Sequence, residues 1–245
     1  MIDTLVSNAC FNGAHLATIP AEISASNETR QRLLEAAGEV FAKKGFRNTT
    51  IREICRGARA NLAAVNYHFG DKERLYLAVL VSAHTRARGK YPLFSNDSAD
   101  IPPALRLRAF IHDLMFSLLD EGMPAWYGKL MAREMIEPTA VLDIVVQNMI
   151  RPMAEKLGAI VRELLGDRVT DDQVRLCQLS IIGQCLHHRN CRPVIQRLFP
   201  QQKYEPADIQ ALVDHITRFS LIALEGLAQG EAYRLAAASD ERPQP

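Results

Sequence analysis

The stretch TTIREICRGARANLAAVNYHFGDKE, residues 49–73, constrains the fold more tightly than any other part of the chain. Thr50 followed three residues later by Glu53 is a capping box: the hydroxyl accepts from the Glu53 backbone N–H while the carboxylate reaches back to the cap. Ile51, Ile54 and Cys55 then face one way at helical spacing. Asn61 is a second N-cap, Gly70 a stop, and Asp71 the cap of a further helix. Upstream, Leu33, Ala37, Val40 and Phe41 repeat at helical spacing, and AKKG supplies a basic last turn followed by a glycine stop. A longer helix ahead of two short ones joined by a tight turn is the outline of a helix-turn-helix unit.

The second short helix has two faces of different chemistry. At about 100° per residue, Leu62, Val65 and Phe69 fall within roughly 60° of one another and are expected to form its buried seam. Ala63, Asn66 and Tyr67 lie on the adjacent face. Asparagine both donates to and accepts from base edges, tyrosine offers a hydroxyl and a ring, and small alanines permit close approach to a groove. Lys72, in the first turn of the next helix, stands beside open backbone N–H groups, where a cation opposes the helix dipole unless an anion is present. A plainer reading is that Tyr67 and His68 simply end a helix.

Charge distribution favours the polyanion. Net charge is only +1, but residues 28–90 hold thirteen Lys/Arg against six Asp/Glu, whereas residues 91–245 hold sixteen against twenty. A basic front and a mildly acidic rear suggest that the front meets a polyanion. A charged helical surface that happens to lean positive is the alternative, since asymmetry of this size is a weak footprint. The five cysteines (Cys10, Cys55, Cys177, Cys185 and Cys191) are odd in number and contain no CxxC pair, which fits free thiols in a reducing compartment. Residues 1–26 lack a basic, apolar signal-peptide pattern and no apolar run is long enough to span a bilayer. The expected location is the cytoplasm, with no membrane partner. No G-x-S-x-G elbow, P-loop or dinucleotide-binding glycine pattern is present, so an enzyme is not expected.

The expected fold class is all-α. Residues 1–26 read as a flexible extension and 236–245 as a disordered tail. The turn-rich segment 91–103 is the best compositional boundary, and helices are expected beyond it at about 104–120, 125–136, 139–165, 171–189 and 207–229, with Pro152 kinking or breaking the third. Leu176, Leu179, Ile182 and Leu186, then Leu212, Ile216, Phe219 and Leu224, repeat at helical spacing on the last two, suited either to a subunit interface or to packing within the chain. In HHRNC, residues 187–191, His187 and Cys191 are spaced i, i+4, as two ligands of one ion would be. No second ligand pair accompanies them, and the neighbouring Arg189 and Arg192 point instead to an interface or an acidic ligand. A metal- or thiol-responsive regulator using His187, His188 and Cys191 is the alternative reading; no metal or cofactor is assigned.

RLLEAAGEVFAKKGF, TTIREIC and NLAAVNYHFGDKERLYLAVL together resemble the DNA-binding domain of the TetR family of bacterial transcriptional regulators. MAREMIEPTA and RPVIQRLF are more loosely similar to the CecR-type C-terminal region. The resemblance implies a helix-turn-helix head over 27–75 and a larger helical effector-binding and dimerisation domain over 76–235. It implies a homodimeric repressor that binds a palindromic DNA operator and is released by a small-molecule effector. Thr50 would cap the second helix and touch a phosphate; Asn61, Leu62 and Ala63 would approach base edges. Asn66 and Tyr67 would meet bases and phosphate, and His68 and Lys72 the DNA backbone. Arg59 departs from the family pattern, standing where glycine is usual. For an effector pocket the richest segment offers Phe110, Met115, Trp126, Tyr127 and Met131 as walls, with His112, Arg133 or Glu134 as anchors. Ordinary core packing is the alternative for each of them.

Overall fold

The computed structural model describes residues 21–90, 100–119, 125–166 and 169–229, and every regular element among them is helical. Expectations for residues 1–20, the 236–245 tail, most of the 91–103 boundary and Cys10 lie outside the described residues. The front of the chain forms α1 (Ala21–Lys44), α2 (Ile51–Ala58), α3 (Leu62–His68) and α4 (Lys72–Lys90). Next come α5 (Pro103–Leu119), α6 (Ala125–Ile136) and α7 (Val141–Val145), the last running through a π-helical turn (Val146–Ile150) into α8 (Arg151–Leu165). The chain closes with α9 (Asp171–Asn190), α10 (Arg192–Leu198) and α11 (Pro206–Ala228).

Local chemistry sets the ends of the short helices. The Thr50–Glu53 capping box is present in both directions, and the Asn61 side chain accepts from the Ala64 N–H at 2.9 Å. After α3, Gly70 takes φ 85°, which lets its N–H bond the Asn66 carbonyl at 3.0 Å and turns the chain at once into α4. Asp71 caps that helix by accepting from the Arg74 N–H at 2.8 Å. Helices as short as α3 are marginal alone, so tertiary burial must hold it. Val65 and Phe69 supply that burial, at about 1.5–3 kcal/mol for each side chain removed from water, by entering a core with Leu33, Phe41, Ile54 and Tyr76.

This first core does not stop at residue 75. Val79 and Leu80 of α4 belong to it, as do Leu130 of α6 and Val141 and Val145 of α7. A second core joins Leu107, Phe110, Ile111 and Met115 of α5 to Leu157 and Ile160 of α8, Cys185 of α9 and Val213 and Ile216 of α11. The helix-turn-helix head is thus fused to the body through α4 and α6.

Four details differ from the sequence expectations or refine them. Residues 21–26 are the first turns of α1 and not part of an extension; no glycine or proline interrupts 21–37, so the helix carries backward. Leu62 is 53% exposed and no part of the seam, while Val65 and Phe69 are buried. It is the first residue of its helix, where no neighbour reaches back to cover it. Around Pro152 the segment is not one uninterrupted α-helix: a π turn stands directly before it, with helical backbone continuous on both sides and the proline in the first turn of α8. Finally, α10 was not anticipated; Pro193 in its first turn is compatible with a helix start.

Candidate nucleic-acid interface

The outward face of α3 is open. Asn61, Leu62, Ala63, Asn66 and Tyr67 are all exposed, Tyr67 to 79%. Asn61 commits its carbonyl oxygen to the cap, leaving its amide donors for another partner. His68 is half-buried, and burial first, then the nearby Arg30 charge, lower its pKa. It therefore favours the neutral ring and does not add a cation to this surface at neutral pH. Lys72 sits at the edge of α3, its ammonium 3.4 Å from the Arg47 carbonyl and 4.5 Å from the Phe46 ring centre. Burial lowers its pKa as well. These contacts hold the side chain against the α1–α2 turn at the end of α4 that faces α3.

Thr50 donates its hydroxyl to Glu53 at 3.1 Å and its N–H to the same carboxylate oxygen at 3.1 Å. The Lys44 ammonium also bonds Glu53. Those bonds, Lys44 foremost, hold the Glu53 carboxyl down at about 2. The turn between α2 and α3 contains the one left-handed non-glycine residue among those described, Arg59, at φ 51° and ψ 46°. Its conformation lets the Ala60 N–H reach back to the Cys55 carbonyl at 2.9 Å, closing α2. Arg47, Arg52, Arg56 and Arg59 are exposed on and beside α2. Apart from Arg59, the sequence reading did not single out these arginines; the charge surplus of 28–90 was the signal that contained them.

The residues expected to line an effector pocket do not gather around one cavity. Phe110 and Met115 are buried in the second core. His112 is on the same helix, bonded to Asp113 at 3.0 Å and packed on Phe116. Trp126, Tyr127 and Met131 pack instead against the first core. Arg133 and Glu134, the two charged anchors, are occupied structurally. Arg133 donates from Nε to the Ala42 carbonyl and from Nη2 to the Lys43 carbonyl, both at 3.1 Å, closing the last turn of α1. Glu134 is 1% exposed. It accepts from the Tyr76 hydroxyl and from the N–H and hydroxyl of Thr139, at 3.2 and 3.3 Å. The physical reason is that α6 packs across α1: the Trp126 indole donates to Glu35 at 3.2 Å, and its ring lies where a Cβ on Gly38 would be. Helical spacing reveals that α6 has an apolar face but not which helix receives it. The segment is a clamp between head and body.

The HHRNC segment does not converge on an ion. His187 is exposed, the His188 ring faces Tyr204 at 6.2 Å between centroids, and Cys191 precedes α10. Among the described residues no group of three or more His, Cys, Asp and Glu side chains is placed to hold a metal. Nor is any described helix long and apolar enough to cross a membrane.

A short capped helix with an uncovered polar face, set in a basic three-helix head on a helical body, defines a helix-turn-helix transcriptional regulator. Residues 33–79 match the family model of bacterial regulatory proteins of the tetR family. Residues 103–224 match that of the C-terminal domain of the HTH-type transcriptional dual regulator CecR. The chain is 30% identical over 217 residues to the HTH-type transcriptional repressor NicS of Pseudomonas putida, covering 82% of this chain and 93% of that one. It is 26% identical over 225 residues to CecR of Shigella flexneri, covering 86% and 97%. A solved structure of AibR in complex with isovaleryl coenzyme A and operator DNA shares the fold, with TM-score 0.55 and 18% identity over 78% of this chain and 97% of that one. The chain belongs to the TetR family of transcriptional regulators, and its rear half carries the CecR-type C-terminal domain.

Proposed function

We propose that the chain is a cytoplasmic repressor that binds a palindromic DNA operator as a homodimer and leaves it when a small molecule binds the body. The observation that carries the reading is the α3 face: Asn61, Leu62, Ala63, Asn66 and Tyr67 stand exposed on a helix fixed from behind by Val65 and Phe69. Asn66 and Tyr67 would read base edges, Leu62 and Ala63 would meet thymine methyls, and Thr50, His68 and Lys72 would lie along the phosphates. Two heads related by a dimer axis require an operator with the same two-fold.

Dimerisation is supported by apolar side chains left open on the last long helices. Leu176 and Leu179 of α9 and Phe219 and Ile222 of α11 are exposed. Ile216 and Leu224, from the same apolar repeat, lie in the chain's own core. Effector release is supported by the α6 clamp and by the isovaleryl coenzyme A and operator DNA bound to AibR, which shares the fold. An effector that favours one setting of α6 would favour one separation of the heads and shift the dimer off DNA by its differential affinity.

The division of roles is testable by titrating wild type, Asn66→Ala and Lys72→Ala with a selected operator and with random duplex over a range of salt. Asn66→Ala should cost about 1–3 kcal/mol on the selected site and little on random DNA. Lys72→Ala should weaken both and flatten the salt slope by about one charge. Equal effects of the two substitutions on specificity would reject the assignment.

A further inference from the structure

Arg189, near the end of α9, is a guanidinium without an acidic partner among the described residues. Its Nη1 donates to the carbonyl of Leu118, in the last turn of α5, at 2.7 Å, and no other hydrogen bond or ion pair involves it among those residues. Tyr127 is the one titratable group there that influences it, while burial disfavours its charge. Its other edge lies on the backbone of α6. A Cβ at Gly128 would stand 2.0 Å from Nη2, so the guanidinium occupies a space that only glycine leaves open.

A half-buried arginine normally spends its five donors on a carboxylate or on several carbonyls, because unmet donors and an unpaired charge away from water are costly. Closing the α5 terminus explains one donor and gains a little from the helix dipole. It leaves the planar fork that distinguishes arginine from lysine unused, and that fork matches a carboxylate in two parallel hydrogen bonds. Tyr127, near enough to influence it electrostatically, brings an apolar ring, and Leu118, whose carbonyl it meets, packs against the second core. Tyr127 and Gly128 directly follow Trp126, whose ring rests on Gly38 and whose indole N–H holds Glu35 of α1. A group that drew Arg189 away from Gly128 would therefore act on the helix that clamps the head.

We propose that Arg189 is the anchor for the carboxylate of an amphipathic effector, seated between α5, α6 and α9 and coupled to the head through Trp126. This rests on the effector-responsive reading above and names the chemistry its ligand would have.

Trp126 is the only tryptophan in the chain, and its ring lies on α1, so its emission reports on the setting of α6 against α1 that the proposal couples to the seat. The probes are octanoate, with octanol as the neutral analogue of equal length, titrated into full-length protein below the micelle threshold. Octanoate should change Trp126 emission saturably and at least about tenfold more tightly than octanol, the worth of a charge-assisted hydrogen-bonded pair. Arg189→Gln should remove that preference, and Arg189→Lys, which keeps the charge but not the fork, should restore only part of it. Absence of a saturable octanoate signal, or equal affinity for octanol in the wild type, overturns the proposal without any variant having to fold. An octanoate preference that survives intact in a folded Arg189→Gln also overturns it. If octanoate binds through Arg189 but leaves operator affinity unchanged, the anion seat stands and effector release by this ligand fails. If an effector of another chemistry releases wild type and Arg189→Gln from DNA equally, release stands and the seat's part in it fails.

Discussion

Arg59→Gly isolates the strained residue at the entrance to the recognition helix. Arg59 holds φ 51° and ψ 46°, a left-handed conformation in which Cβ crowds the following carbonyl at a cost of about 1–2 kcal/mol. Glycine removes that cost but returns about 0.4–1 kcal/mol through its greater freedom in the unfolded chain. The net expectation is a gain of about 0.5–1 kcal/mol. In a chain of this size a gain near 1 kcal/mol corresponds to a rise in Tm of about 2–4 °C. The backbone bonds that need this conformation, Ala60 N–H to Cys55 and Arg59 N–H to Arg56, are retained by glycine. DNA binding should move the other way, since one exposed cation per head is lost and the salt slope falls by about 0.9 for each phosphate contact removed. Arg59→Ala is the control: it keeps the Cβ and so gains no stability, but loses the same charge. Thermal melts and salt-dependent titrations of the three proteins are sufficient. A Tm for Arg59→Gly equal to or below that of Arg59→Ala would refute the strain argument. An unchanged salt slope in both variants would show that Arg59 meets no phosphate.

Three further predictions follow from the head and its clamp. The Glu53 carboxyl is held at about 2, mainly by the Lys44 ammonium and then by Thr50, against about 4.3 for a free glutamate. Its contribution is therefore complete above the unfolded value and lost as pH falls toward 2. The Tm difference between wild type and Glu53→Gln should shrink across that window, and a difference that stays constant contradicts the linkage. Tyr76→Phe keeps the ring packed 4.8 Å from Phe41 but leaves buried Glu134 with Thr139 alone. The expected loss is about 1–3 kcal/mol; an unmoved urea midpoint would count against it. Arg133→Ala should free the Ala42 and Lys43 carbonyls and cost on the order of 1 kcal/mol, read as faster hydrogen exchange in the last turn of α1. Arg133→Lys should not restore protection, because a point ammonium lacks the fork that spans two carbonyls; full restoration refutes the clamp geometry.

The exposed face of α3 was legible in the sequence because it is built from local rules. A cap at Asn61, a capping box at Thr50, a stop at Gly70 and a cap at Asp71 each act within four residues, and the structure realises each of them. Leu62 shows where the rule ends: helical angle places it near Val65, but burial depends on whether a neighbour reaches the first turn. None does. Arg59 was recognisable as a departure, although its left-handed φ is a property of the folded turn. The rear was legible as helices and not as a site. Composition grouped Phe110, Trp126 and Arg133, whereas packing sends Phe110 to the second core and α6 to the head. Glu134 and Arg133 looked like free anchors because their partners, Tyr76, Thr139 and the end of α1, are mostly distant in sequence. Arg189 and Arg192 were visible as charges, but the lack of an acidic partner for Arg189 appears only once α5, α6 and α9 are assembled.

The central claim, that the exposed face of α3 reads a two-fold DNA site, is tested most directly by selecting bound fragments from random duplex DNA with the full-length protein. The predicted result is enrichment of one inverted repeat with half-sites about one helical turn apart or a multiple of it, and loss of that enrichment in Asn66→Ala. Selected fragments that show no shared inverted repeat, or an enrichment unchanged in Asn66→Ala, would contradict it.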